Sequence, residues 1–145
     1  MDFINRLITA VTETHPLHPM IVHFPIALSG AAALFILLAL WKKDAGFEKI
    51  AFANISLTAL SSVFAGASGM YDNQLNYLGD APNASLKMIL AIALFIISTV
   101  LTITRWRNPE IFNGRAKALY VTGYLVSFIL ALVLAFLGGV ILYGF

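Results

Sequence analysis

Four stretches of this chain, residues 20–41, 50–70, 86–105 and 118–142, run for roughly 20 to 25 residues each with almost no charge. Coiled as α-helix at about 1.5 Å per residue, each reaches about 30 Å or more, the thickness of a bilayer's hydrocarbon layer. Only helices and closed barrels satisfy their backbone polar groups in lipid, and apolar runs of this length specify helices. The charged fraction agrees: 11% of the 145 residues are charged, against about a quarter in soluble domains. The expected fold is therefore all-α, a four-transmembrane-helix bundle over residues 15–145 with the lipid bilayer as its first partner. Four spans leave no length for a separate soluble domain.

Residues 1–14 carry a shorter pattern. Phe3, Ile4, Leu7, Ile8 and Val11 recur at helical spacing, with Asp2, Asn5, Arg6, Thr9 and Thr12 on the other side. This predicts a short amphipathic helix lying in the membrane interface. The segment lacks the basic start, unbroken apolar core and small-residue cleavage site of a signal peptide, so it is expected to stay in the mature chain.

Orientation follows from the loops. Lys42, Lys43 and Lys49 lie between spans one and two, and Arg105, Arg107, Arg115 and Lys117 between spans three and four; the opposite side holds only Arg6 and Lys87. The positive-inside rule then places both termini and the loop "YDNQLNYLGDAPNAS" on the outer, periplasmic side of a bacterial inner membrane. In that loop Tyr71, Tyr77 and Leu78 suit the headgroup level, and Asn83 or Ser85 is expected to cap the third span behind Pro82. "NAS" there also fits a glycosylation sequon, for which capping is a sufficient explanation. The formal charge of +2 arises from these turns, a topology signal rather than a nucleic-acid surface.

Small residues mark the packing faces. Gly123, Ser127, Ala131, Ala135 and Gly139 recur every four residues along the fourth span, with shorter versions in Ser61, Ala65, Gly69 and in Pro25, Ser29, Ala33. Such stripes let helices approach closely where lipid offers no hydrophobic drive, either within the bundle or against another integral membrane subunit. No Asp, Glu, Lys or Arg falls mid-span, which argues against a transporter or proton channel. HExxH, GxSxG and Walker-type glycine motifs are absent too, and no catalysis is expected. With no cysteine in the chain, thiolate metal sites and covalent CxxCH haem attachment are excluded.

The chemistry that remains sits in "HPLHPMIVHFP", which holds His15, His18 and His23 beside Pro16, Pro19 and Pro25. Prolines stiffen the segment and fix the imidazoles with little entropy left to lose. If the first span starts at Pro19, His23 stands above Ala27 and Gly30, a flat slot suited to a haem or chlorin macrocycle or to a closely packed neighbouring helix. His15 or His18 would supply the second axial ligand, and Lys87, Met88 and Tyr143 lie at the same level as weaker candidates. Copper would suit the histidines with Met20, Met70 or Met88. The plainer alternative is that the imidazoles cap helix ends and bond loop carbonyls.

"HPLHPMIVHFPIAL", with "GASGMYD" ending span two and "FLGGVILY" ending span four, resembles an uncharacterised bacterial family of small four-helix membrane proteins, a domain of unknown function, over about residues 15–143. The resemblance implies four spans with the motifs at one membrane side. It also implies further histidines at the start of the third span and after the tyrosine ending the fourth, a haem-type set; this chain has Lys87 at the first place and "LYGF" at the second. The expected function is a non-catalytic accessory or structural subunit of a larger respiratory or photosynthetic membrane complex. The alternative is a haem- or chlorin-binding electron-transfer protein using His23 with His15 or His18.

Overall fold

A computed structural model describes residues 2–9 and 17–143, with side chains given outside 6–8 and 141–143. It contains α1 (Phe3–Thr9), α2 (Leu17–Lys42), α3 (Ala45–Tyr77), α4 (Ala84–Arg107) and α5 (Lys117–Tyr143), with one 3₁₀ turn at Ile111–Asn113 before α5. No strand occurs among the described residues. Helices α2 to α5 are all long and apolar enough to cross a membrane. His15, Val11 and Thr12 lie outside the described residues, while Phe3 and Ile4 of α1 are exposed.

Local chemistry sets the helix ends. Pro19 falls in the first turn of α2, where its missing N–H would have had no intrahelical partner. The α2–α3 turn is only Lys43, in the left-handed region at φ 53°, and Asp44, whose carboxylate caps α3 by accepting from the Gly46 N–H at 2.7 Å. Such short connections force neighbouring helices antiparallel. Helix α2 packs on α3 and α5, and α4 packs on the same two, so the four helices close into an up-down-up-down ring.

The ring packs most tightly at the end bearing the two basic loops. Ile36 and Ala39 of α2, Ala51 and Ile55 of α3, Leu101 of α4 and Tyr124 of α5 form the centre, with Ile111 and Phe112 buried beneath them by the 3₁₀ turn. Outside the ring the bundle is hydrophobic, as lipid requires. Trp41 and Trp106, 75% and 79% exposed, both stand at this end, the interfacial position that indole favours.

Two expectations are corrected. Helix α3 does not stop at Met70 but runs 33 residues to Tyr77, about 50 Å and well beyond a hydrocarbon layer. Its polar extension is held by an Asn76 Nδ2 to Asp72 Oδ1 bond at 2.7 Å one turn apart. It is then stopped by Leu78 and Gly79 at φ 51° and 87°, whose N–H groups both donate to the Asn73 carbonyl. Second, Asn83 occupies the cap position of α4 at φ 56° without any side-chain capping bond, so its amide is not the cap that the "PNAS" pattern predicts. Of the two packings open to the small-residue stripe of α5, its middle takes the one within the bundle: Ser127 and Ala131 are fully buried, and a Cβ on Gly123 would stand 2.7 Å from Leu101 Cδ2 of α4. Pro25, Ser29 and Ala33 of α2 are buried in the same way.

Candidate functional site

The end of the bundle where α2 begins, α3 ends and α4 begins carries His18 and His23. His18, half-buried, crosses from α2 to α3 with Nδ1 at 3.0 Å from Ser68 Oγ. The Ser68 hydroxyl proton already goes to the Ala65 carbonyl, so the pattern assigns the hydrogen to His18 Nδ1 and leaves Nε2 with its lone pair. The ring packs against Gly69, where a Cβ would meet Cε1 at 2.8 Å. A glycine is what allows this approach. Asp72, one turn beyond Ser68 on α3, and Lys87, in the first turn of α4, stand at the same end of the bundle. The structure thus gives His18 a cross-helix partner in Ser68, which the sequence pattern did not single out, and sets Lys87 at the same end of the bundle.

His23 is separate. It follows His18 by five residues, about 140° around the helix, and is exposed on the outward face of α2 between Met20, 59% exposed, and Ala27. Its Nδ1 donates to the Pro19 carbonyl oxygen one turn back, which again leaves Nε2 free. Anchoring one ring nitrogen on a backbone carbonyl while the other keeps its lone pair is how ligating histidines are commonly oriented. His18 and His23 nevertheless do not converge on a common point. The slot expected below His23 is half closed: Ala27 is exposed, but Gly30 is covered by Phe128 of α5, 3.1 Å from where a Cβ would be. Of the weaker candidates, Met88 is exposed, as is Met70 of the copper alternative, and the side chain of Tyr143 lies outside those described.

A second polar centre lies at the opposite end, inside the ring. Glu48 of α3 is 2% exposed. Arg105 of α4 grips it with both nitrogens, Nε to Oε1 at 2.7 Å and Nη2 to Oε2 at 3.0 Å. Tyr120 of α5 donates its hydroxyl to Oε1 at 2.9 Å and lies 2.7 Å from the Tyr124 hydroxyl, which therefore donates to Tyr120. The phenol rings meet edge to face at 5.0 Å. One carboxylate accordingly ties three helices together with every bond satisfied, the condition under which a buried charge is tolerated. Sequence reasoning passed over it because Glu48 falls just outside the charge-free window and Arg105 reads as a topology charge. The available signal was depth: short loops place the start of α3, the end of α4 and the start of α5 at one level, and Tyr120 and Tyr124 share a helix face.

From residue 14 to residue 145 the sequence matches the family described as "Predicted membrane protein (DUF2231)". The chain belongs to that family. The DUF2231 segment takes in the HPLHP motif and all four long helices and leaves α1 outside it. Neither a curated protein nor a solved structure matches the chain.

Proposed function

We propose that this DUF2231 protein is a non-catalytic accessory subunit of a larger membrane complex, docked through the outer half of α2. The carrying observation is the exposure of His23. Helix α2 has 26 residues, about 39 Å, so an untilted helix centred on a hydrocarbon layer of about 30 Å places His23, about 9 Å from its start, some 4 Å inside that layer. Ionisable side chains at such depth face protein or water rather than lipid. A neighbouring subunit that covers Met20, His23, Phe24 and Ala27 removes the imidazole from lipid and can give Nε2 a hydrogen-bond donor. The short loops and the inner Glu48 clamp suit a rigid part. The orientation favoured by the basic loops puts this face on the periplasmic side of a bacterial inner membrane.

A second reading rests on the same atom. The free Nε2 of His23, with Nδ1 anchored on Pro19, suits an axial ligand to a haem or chlorin at the bundle's outer surface, the opposite ligand coming from the covering subunit. Mild-detergent purification from native membranes separates the two readings. Under the accessory-subunit reading the protein migrates in an assembly larger than itself, His23→Leu dissociates it, and no visible absorption is lost. Under the second, His23→Leu removes a reducible Soret or chlorin band. A monomer with a featureless spectrum, unchanged by His23→Leu, contradicts both.

A further inference from the structure

On the side of the ring away from the α2 docking face, α4 and α5 leave an open apolar groove of about 340 Å³. Ile96, Val100, Leu119 and Thr122 wall it, and Leu101 and Gly123 form its floor. A second hollow, sharing Val100, Leu101 and Leu119, continues it past Thr104 and Ala116 to the basic α4–α5 connection. From the level of Val126 to that of Ala116 the channel follows ten residues of α5, about 15 Å, or one leaflet of a layer about 30 Å thick. A spanning partner helix would need a groove twice as long; a lipid acyl chain needs one this long.

The α4–α5 connection just beyond this end of the groove is cationic. Arg105 is neutralised by Glu48, but Arg107 and Arg115 are exposed and Lys117 lies 4.5 Å from the Phe112 ring centroid. Against these three stands Glu110, which accepts from Asn113. Helix α5 opens here with no acidic residue in its first turn, so its dipole adds positive potential. We propose that this groove binds an anionic phospholipid, one acyl chain lying between α4 and α5 and the phosphate at the Arg107, Arg115 and Lys117 end. Basic pockets between membrane helices recognise anionic headgroups by this chemistry.

The test is native mass spectrometry of the delipidated full-length protein in detergent, titrated with dioleoyl phosphatidylglycerol or dioleoyl phosphatidylcholine. One phosphatidylglycerol is expected to bind about 10- to 100-fold more tightly than phosphatidylcholine. The combined variant Arg107→Gln, Arg115→Gln, Lys117→Gln loses that preference, and Thr122→Trp, filling the groove, weakens both lipids. Leu119→Trp, at a position 77% exposed, provides a second obstruction should Thr122→Trp fail to fold. Neutralising the other basic loop, Lys42→Gln, Lys43→Gln, Lys49→Gln, leaves the preference intact. Equal affinity for the two lipids, equal loss in both triple variants, or indifference to both tryptophans overturns the site.

Discussion

Replacing Glu48 by Leu removes the acceptor on which Arg105 and Tyr120 both depend. Breaking a buried ion pair from one side costs about 3–5 kcal/mol, because the remaining charge stays desolvated. The Arg105 side chain keeps 14% of its surface exposed at the membrane edge and can swing toward water, which puts the expected loss at the lower end, about 3 kcal/mol. Arg105→Leu should cost about as much, since it strands a carboxylate that is 3% exposed. The double variant should be more stable than either single one, with a coupling energy of about 2–3 kcal/mol. Tyr120→Phe, which removes the bond to Glu48 and the acceptor of Tyr124, should cost about 1–2 kcal/mol. The assay is reversible unfolding in mixed micelles by added dodecyl sulfate, followed through the two tryptophans, Trp41 and Trp106, both at this end. Additive losses, or single variants within about 0.5 kcal/mol of wild type, would refute the view that the carboxylate clamps three helices.

Four further outcomes are expected from the glycines and the α3 stop. Gly123→Ala pushes a methyl to 2.7 Å from Leu101 and should destabilise by about 1–3 kcal/mol, with Leu101→Ala restoring part of the loss in the same unfolding assay; Gly138→Ala, with nothing within 4 Å, should instead gain up to about 1 kcal/mol. Gly69→Ala forces the His18 ring off α3, and nitrogen-15 spectra of the imidazole should report loss of the Nδ1 bond to Ser68; an unchanged ring spectrum contradicts the packing. Leu78→Gly relieves a left-handed residue that is 90% exposed, and should stabilise α3's end by about 1 kcal/mol, read as slower amide exchange at Gly79.

The fold was legible where length and hydropathy decide it: four charge-free windows give four helices, and two short basic loops give their antiparallel order. Helix ends were less legible. "YDNQLNY" reads as loop because it is polar, yet in water beyond the membrane a polar helix costs little, and Asp72, Asn73 and Asn76 carry α3 on to Tyr77. Which neighbour a small-residue stripe meets cannot be told from spacing, because intramolecular and intermolecular packing ask for the same residues; only the buried Ser127 and Ala131 settle it. For the site, the proline-histidine motif marks the end of the bundle where α2 begins. His18 and His23 stand about 140° apart on the helix, and the Ser68 and Gly69 contacts of His18 depend on how α3 is rotated against α2. Glu48 was missed since a lone acid near a basic loop looks solvated until two other helices are known to close over it.

The most direct measurement of the proposed role is site-specific photocrosslinking in intact membranes, with a diazirine side chain placed at Ala27 on the outer face of α2 and, in a second strain, at Leu119 in the α4–α5 groove. A discrete adduct of fixed mass to another membrane protein is expected at Ala27, lost in the His23→Leu background, and a phospholipid adduct at Leu119. Lipid adducts alone at Ala27, indifferent to His23, would contradict the proposed role.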